Sequence, residues 1–103
     1  MLQTPNYKKD DIVSFKLVNG DEIIAKIIEE TDKEFIVAKP CTVMPSQQGI
    51  GLIQSLFTSD LNKNVPLEKR HVMLHSATID AIKNHYIQTT TGIEPVTTGG
   101  IIT

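Results

Sequence analysis

The sequence predicts a mostly β protein: a small, strongly bent, five-stranded open barrel followed by a C-terminal helix. Three observations lead to this prediction. Five short runs rich in strand-forming residues follow one another along the chain, tight turns join the early runs, and one stretch near the C-terminus changes to helical spacing. At 103 residues the chain is long enough for one domain with one modest core.

The first two runs predict a β-hairpin. Apolar and polar residues alternate from Val13 to Leu17, which is the period of a strand. The dipeptide Asn19-Gly20 suits a tight turn, because both central residues of such a turn need positive φ. The next run, "EIIAKIIEE" (22–30), has β-branched residues on both faces. This pattern predicts a strand that is buried from both sides or bent between two cores.

The middle of the chain predicts three further strands. In "FIVAKPCTVM", Pro40 has no N–H to donate, so we expect an edge strand or a bulge there. The segment "IGLIQSLFT" (50–58) also fits helical spacing, but the early glycines, Gly49 just before it and Gly51 within it, and its short length favour a strand. Residues 59–70 form a polar stretch that predicts a loop, and "HVMLHS" (71–76) predicts a brief fifth strand.

The last element is a helix near residues 78–90. Ile79, Ile82 and Tyr86 form one helical stripe, Thr78 can cap the start, and Gly92 suits the end. We therefore expect a single domain over residues 1–92 and a flexible, Thr- and Gly-rich tail over residues 93–103.

Composition excludes several classes of protein. The net charge of −2 and the pI of about 5.8 exclude a polyanion binder that works by bulk charge, so any nucleic-acid site must be a local patch. The start of the sequence, "MLQTPNYKKDD", has no apolar stretch of signal-peptide length. No run in the sequence approaches the roughly 20 apolar residues that a membrane helix needs. We expect a cytoplasmic protein without a membrane partner.

No residue pattern predicts an enzyme, a cofactor or a metal site. On a strand, His71 and His75 would stand about 13 Å apart, which is too far for one metal ion. His85 has no acid or thiol at ligand spacing, and Cys41 has no activating base nearby in the sequence. We expect Cys41 to be an inert core thiol.

The stretch "VSFKLVNGDEIIAKIIEETDKEFIVA" resembles the first motif of the Sm-like (LSm) family, which runs as strand, Gly, bent strand, Asp and third strand. The sequence matches at Gly20, at the hydrophobic positions and at Asp32, while Ala25 replaces the second glycine of the family. The resemblance covers about residues 10–90 and implies an Sm-like, SH3-like barrel. The order of elements looks most like the small Sm-like proteins of large tailed phages of marine bacteria, which put a helix after the barrel.

The resemblance also implies a homo-oligomeric ring of about five to seven subunits, in which the fourth strand of one subunit pairs with the fifth strand of the next. The alternative is a monomer that packs its own helix over the sheet. The residues that the ring would place at the subunit interface are Ile50, Leu52, Ile53, Leu56, Phe57, Val72 and Leu74.

The resemblance further implies binding of single-stranded RNA. The RNA pocket of the family would fall at Asp32 and Glu34, although Ile36 replaces its base-reading asparagine. His75 in "LHS" takes the place of the arginine in the second motif, an alignment that needs another strand after Ser76. Lys63, Lys69 and Arg70 would form a positive collar around the ring. The expected function is a non-enzymatic RNA chaperone or regulator, and the alternative is a protein–protein adaptor or phage assembly factor without RNA binding.

Overall fold

The computed structural model describes residues 5–91 as one antiparallel sheet and one α-helix. The strands are β1 (Ile12–Leu17), β2 (Glu22–Glu30), β3 (Glu34–Ser46), β4 (Gly49–Gln54), β5 (Val65–Glu68) and β6 (Val72–Ala77), and the helix is α1 (Asp80–Thr90). A short 3₁₀ helix, Lys69–His71, joins β5 to β6. The tail that we predicted at residues 93–103 lies outside the described residues.

The sheet has the strand order β4-β3-β2-β1-β6 and is not closed. The first part of β3 pairs with β5, from Glu34 opposite Glu68, and its last part pairs with β4, from Cys41 opposite Gln54. Strands β4 and β5 therefore lie end to end along the same edge of β3. The predicted mostly β fold with a C-terminal helix is confirmed, but with six strands instead of five.

The additional strand, β5, lies within the stretch that we predicted as a loop. This prediction was wrong because β5 has only four residues, one of which is Pro66. Its two apolar side chains, Val65 and Leu67, pack against the inner core, and the strand pairs with β3. The predicted strand at residues 50–58 is present, but it ends at Gln54, so Leu56 and Phe57 lie outside it.

The sheet bends at a bulge in β3. Ile24 pairs with Cys41 and Lys26 pairs with Ala38, so two steps along β2 match three along β3. The extra length places Lys39 at φ 52° next to Pro40, which is the irregularity that we predicted from the proline. Ala25 faces this bend and is completely buried. The small side chain at this position allows the two strands to turn together.

Two hydrophobic clusters lie on opposite faces of β2. The inner core consists of Val13, Phe15, Ile23, Ala25, Ile27, Phe35 and Val37. The outer core consists of Ile12, Ile24, Cys41 and Tyr86, with Ile82 and Leu52 packed against it. The predicted burial of β2 from both sides is confirmed. The α1 helix of the same chain packs on the outer face through Tyr86 and Ile82.

The helix is held on the sheet by Tyr86. The Tyr86 hydroxyl donates to the carbonyl oxygens of Lys39 (2.8 Å) and Ala38 (3.1 Å), which lie at the bulge of β3. Thr78 does not cap the helix as we predicted, because its Oγ1 lies 2.7 Å from Ser14 Oγ and Ile79 takes the N-cap position. Within residues 5–91, no helix is both long enough and apolar enough to span a membrane.

Replacing Ala25 with Leu tests the bend. The larger side chain overpacks a completely buried site, so we expect Ala25→Leu to lower the free energy of unfolding by about 1–3 kcal/mol in denaturant or thermal melts. The matched control is Ala81→Leu on the exposed face of α1, which we expect to change stability by no more than about 0.5 kcal/mol. Equal stability of the two variants would contradict the bend that we describe.

Candidate functional site

An open cleft lies between the β2–β3 turn and the 3₁₀ helix. Four of the residues that we predicted as RNA-binding line it, namely Asp32, Glu34, Lys69 and Arg70, together with Lys33 and Glu68. The two sides are tied by the Lys69 amide, which donates to the Lys33 carbonyl oxygen at 2.8 Å. The fold therefore brings together residues that are more than 30 positions apart in the sequence.

The charges in the cleft are balanced. Three carboxylates face three cations, and Arg70 Nε bonds Glu68 Oε1 at 2.6 Å. Both of these side chains are well exposed, so the pair contributes little to stability. The bond uses only one of the five N–H groups of the guanidinium, and the others can still meet a phosphate or a carboxylate.

Lys69 differs from Arg70 because its ammonium group is paired with a buried carboxylate, that of Glu30. Its Nζ lies 2.8 Å from Glu30 Oε2 and 5.0 Å from the centre of the Phe35 ring. The carboxylate and the aromatic face both stabilise the ammonium where it is. Lys69 therefore lines the cleft, but its charge is already matched by Glu30.

Glu30 is a buried carboxylate that we did not predict. Its side chain is 2% exposed. Its oxygens accept from the Asn6 amide (2.8 Å), the Asn6 side chain (2.9 Å) and the Tyr7 amide (3.1 Å), as well as from Lys69. Burial alone would raise the pKa of Glu30, but the hydrogen bonds from Lys69, Asn6 and Tyr7 outweigh it, and the pKa is lowered.

The other two candidate RNA-binding residues lie away from the cleft. His75 sits in the middle of β6, with its ring 5.6 Å from Phe35 and its Nδ1 2.7 Å from the Tyr7 hydroxyl. Lys63 lies in the segment between β4 and β5, beside Lys39 and Leu61. The positive collar that we predicted from three cations is therefore divided between two places on the subunit.

The candidate interface residues divide into two groups. Five of them are exposed: Ile50 (42%), Ile53 (40%), Leu56 (49%), Phe57 (72%) and Leu74 (67%). The other two, Leu52 and Val72, are half-buried and pack against the outer and inner cores of their own chain. Sequence reasoning missed Met44 and Met73, which are 52% and 62% exposed. Both occur in strands, beside the residues that we predicted.

The exposed apolar residues flank open strand edges. In the part of the chain that the structure describes, β4 pairs only with β3, and β6 pairs only with β1. Each of the two strands has six residues. Unpaired backbone beside exposed apolar side chains is a template for pairing with another chain.

The grouping of metal-binding side chains and the reactivity of Cys41 bear on catalysis in the described residues. Across residues 5–91, no three His, Cys, Asp or Glu side chains are grouped closely enough to hold a metal ion. Cys41 lies in the outer core, and burial raises the pKa of its thiol. The thiol is therefore kept in its unreactive, protonated form.

Replacing Lys69 with Met tests the Glu30–Lys69 pair. The change leaves a buried carboxylate without its cation, so we expect the pKa of Glu30 to rise and stability at neutral pH to fall by about 1–3 kcal/mol. The matched control is Lys33→Met on the exposed side of the same cleft, which should change stability by no more than about 0.5 kcal/mol.

The pair also predicts the pH dependence of stability. Because the pKa of Glu30 is lowered in the folded state, its stabilising effect is present above the unfolded Glu value of about 4.3 and is lost as the pH falls through the folded value. Melts between pH 7 and pH 3 should show a steeper acid loss in the wild type than in Lys69→Met. Parallel curves for the two proteins would contradict this role of the pair.

No protein-family model matches the sequence, and no curated protein matches it significantly. The resemblance to the Sm-like family therefore rests on the residues of this chain, chiefly the motif with Gly20 and Asp32.

Proposed function

We propose that this chain is the subunit of a homo-oligomeric Sm-like ring, without enzymatic activity, that binds single-stranded RNA in the cleft between the β2–β3 turn and the 3₁₀ helix. The observation that supports the ring best is the pair of open edges, β4 and β6, with large apolar side chains exposed beside them. Such edges are liabilities in a monomer and become an interface when copies pair head to tail.

The composition of the two edges supports self-association. The 20 residues from Pro40 to Ser59, which include β4, contain no charged residue, in a chain that is 21% charged. Strand β6, Val72–Ala77, contains no Asp, Glu, Lys or Arg either. Depletion of charge is the mark of an interface core. An uncharged edge on one side and an uncharged edge of equal length on the other suit a heterologous contact that closes into a ring.

The cleft supports RNA binding less strongly than the edges support the ring. It places Arg70 and Lys33 beside Asp32 and Glu34, the positions at which the family resemblance puts the RNA pocket. The three carboxylates of the cleft repel phosphate, and Lys69 is paired with Glu30. We therefore propose weak binding that depends on phosphate contacts, tolerates different sequences and falls steeply with salt.

The second candidate is a ring that binds protein, as an adaptor or a phage assembly factor. The balanced charge of the cleft favours it, because a phosphate-binding surface needs an excess of cations. Both candidates place the protein in the cytoplasm, which is that of the host cell if a phage encodes the chain.

Native mass measurement tests the ring. We expect the purified chain to run at about five to seven times its 11.4 kDa mass at micromolar concentration. Ile50→Lys on β4 or Leu74→Lys on β6 should dissociate the ring, because each places a charge where apolar surface is buried between copies. The matched control is Ile87→Lys, an exposed apolar position on α1 where a cation suits the helix C-terminus.

These outcomes separate the ring from a monomer. A wild-type protein that runs at the mass of one chain contradicts the ring. A ring that survives both edge substitutions contradicts the β4–β6 contact, and dissociation by Ile87→Lys alone would move the interface to α1.

Filter binding tests the RNA. With A-rich and U-rich single strands, we expect weak binding at about 50 mM salt that disappears at higher salt. Arg70→Ala should weaken binding, and Glu34→Lys should strengthen it, because it replaces a negative charge beside the cleft with a positive one. Lys63→Ala is the matched control, since Lys63 lies outside the cleft. A ring that binds neither strand at 50 mM salt favours the protein adaptor.

A further inference from the structure

The N-terminal strap, residues 5–9, connects two regions of the surface. At one end, the backbone amides of Asn6 and Tyr7 donate to the buried carboxylate of Glu30. At the other end, the Tyr7 ring lies 6.1 Å from Phe35 and 5.5 Å from His75, centre to centre. The Tyr7 hydroxyl completes the link, at 2.7 Å from His75 Nδ1. The strap therefore joins the end of β2 to the edge strand β6.

Glu30 connects the same strap to the cleft. The oxygen that accepts from the Asn6 side chain, Oε2, also accepts from Lys69 Nζ. Lys69 belongs to the 3₁₀ helix and lines the cleft. One buried carboxylate thus holds the strap on one side and a wall of the cleft on the other, and the strap in turn holds β6.

We propose that the N-terminal strap couples the cleft to the β6 edge, and that Glu30 is the positioning residue for this coupling. Glu30 acts through others: it orders Lys69 at the cleft, and it orders Tyr7, which contacts His75 on the edge. Loss of the carboxylate charge weakens both contacts. For the proposed function, the coupling means that binding in the cleft changes the β6 edge that pairs with the next subunit. The contacts that carry the coupling all lie within one chain.

The surroundings of Glu30 give the coupling a definite response to acid. Lys69 is the cation that faces the carboxylate. Asp11 is a further acid near Tyr7: its charge helps to raise the pKa of the Tyr7 hydroxyl, and its Oδ2 accepts from the Lys8 amide. His75 faces Tyr7 at the far end of the strap. Protonation of Glu30 removes the charge that Lys69 faces and weakens both oxygens as acceptors for the strap, so both ends should respond together.

Nuclear magnetic resonance of the full chain, titrated from pH 7 to pH 3, tests the coupling. We expect the amides of Asn6, Tyr7, Lys69 and His75 to shift with one common midpoint. The Asn62 amide is an internal control, since it bonds Asp60 Oδ1 in the segment between β4 and β5, away from the strap, and reports that carboxylate instead. A His75 amide that does not shift at the midpoint of Asn6 and Tyr7 overturns the proposal.

Two variants assign the response. Glu30→Gln should abolish the common midpoint at all four amides, because Gln has no charge to lose. Tyr7→Phe keeps the ring on Phe35 and loses only the hydroxyl, so it should remove the component of the His75 shift at the common midpoint and preserve the shifts of Asn6 and Lys69. In Tyr7→Phe, a His75 amide that still shifts at the midpoint of the Asn6 amide overturns the proposed route. This test stands even if Glu30→Gln fails to fold.

The titration needs neither RNA nor a ring, so its failure differs from a failure of the proposed function. A monomer that binds no RNA yet shows the common midpoint keeps the coupling and loses the ring. A ring that binds RNA but has independent midpoints keeps the function and loses the coupling.

Discussion

The bulge in β3 is the constraint on which the rest of the structure depends. It turns the two long strands through a bend around the buried Ala25 and places the carbonyl groups of Ala38 and Lys39 where the helix can reach them. The hydroxyl of Tyr86 donates to both carbonyl oxygens, so the helix contacts the sheet at the bend itself. The bulge also separates two parts of β3: the part before it pairs with β5, and the part after it pairs with β4. The inner core, the outer core and the open edges all follow from this geometry.

The fold was largely predictable because its signals are periodic and local. The alternation of apolar and polar residues predicted β1, and the Asn-Gly turn predicted the first hairpin. The apolar helical stripe that includes Tyr86 predicted the helix. Glu30 was not predictable in the same way. A second bulge, between the pairs Ile27–Val37 and Glu29–Ile36, adds a residue to β2. Strict alternation from Ile27 would place Glu29 inside and Glu30 outside, and the bulge reverses them. Bulges depend on the partner strand, which a single-strand pattern does not contain.

The candidate site was predictable only in part, for a related reason. Residue type and family resemblance gave Asp32, Glu34, Lys69 and Arg70, and the fold brings these four to one cleft. Sequence did not show that Lys69 is already paired, because its partner comes from a strand nearly 40 positions earlier, at 2.8 Å. Short β5 and the 3₁₀ helix after it place the cations at the cleft, and neither was predicted. Charge is visible in a sequence, whereas its neutralisation is a property of the packed chain.

The outer core has a consequence for how the protein is made. Most of its wall comes from β1, β2 and β3, while Tyr86 and Ile82 come from the last described element. During synthesis the sheet leaves the ribosome first, and the face with Ile24 and Cys41 stays open to water until α1 emerges. The uncharged stretch that ends at Ser59 also emerges before the helix. The nascent chain therefore passes through a stage in which apolar, aggregation-prone surface is exposed. Early termination before Tyr86 would leave a product in which that surface stays uncovered.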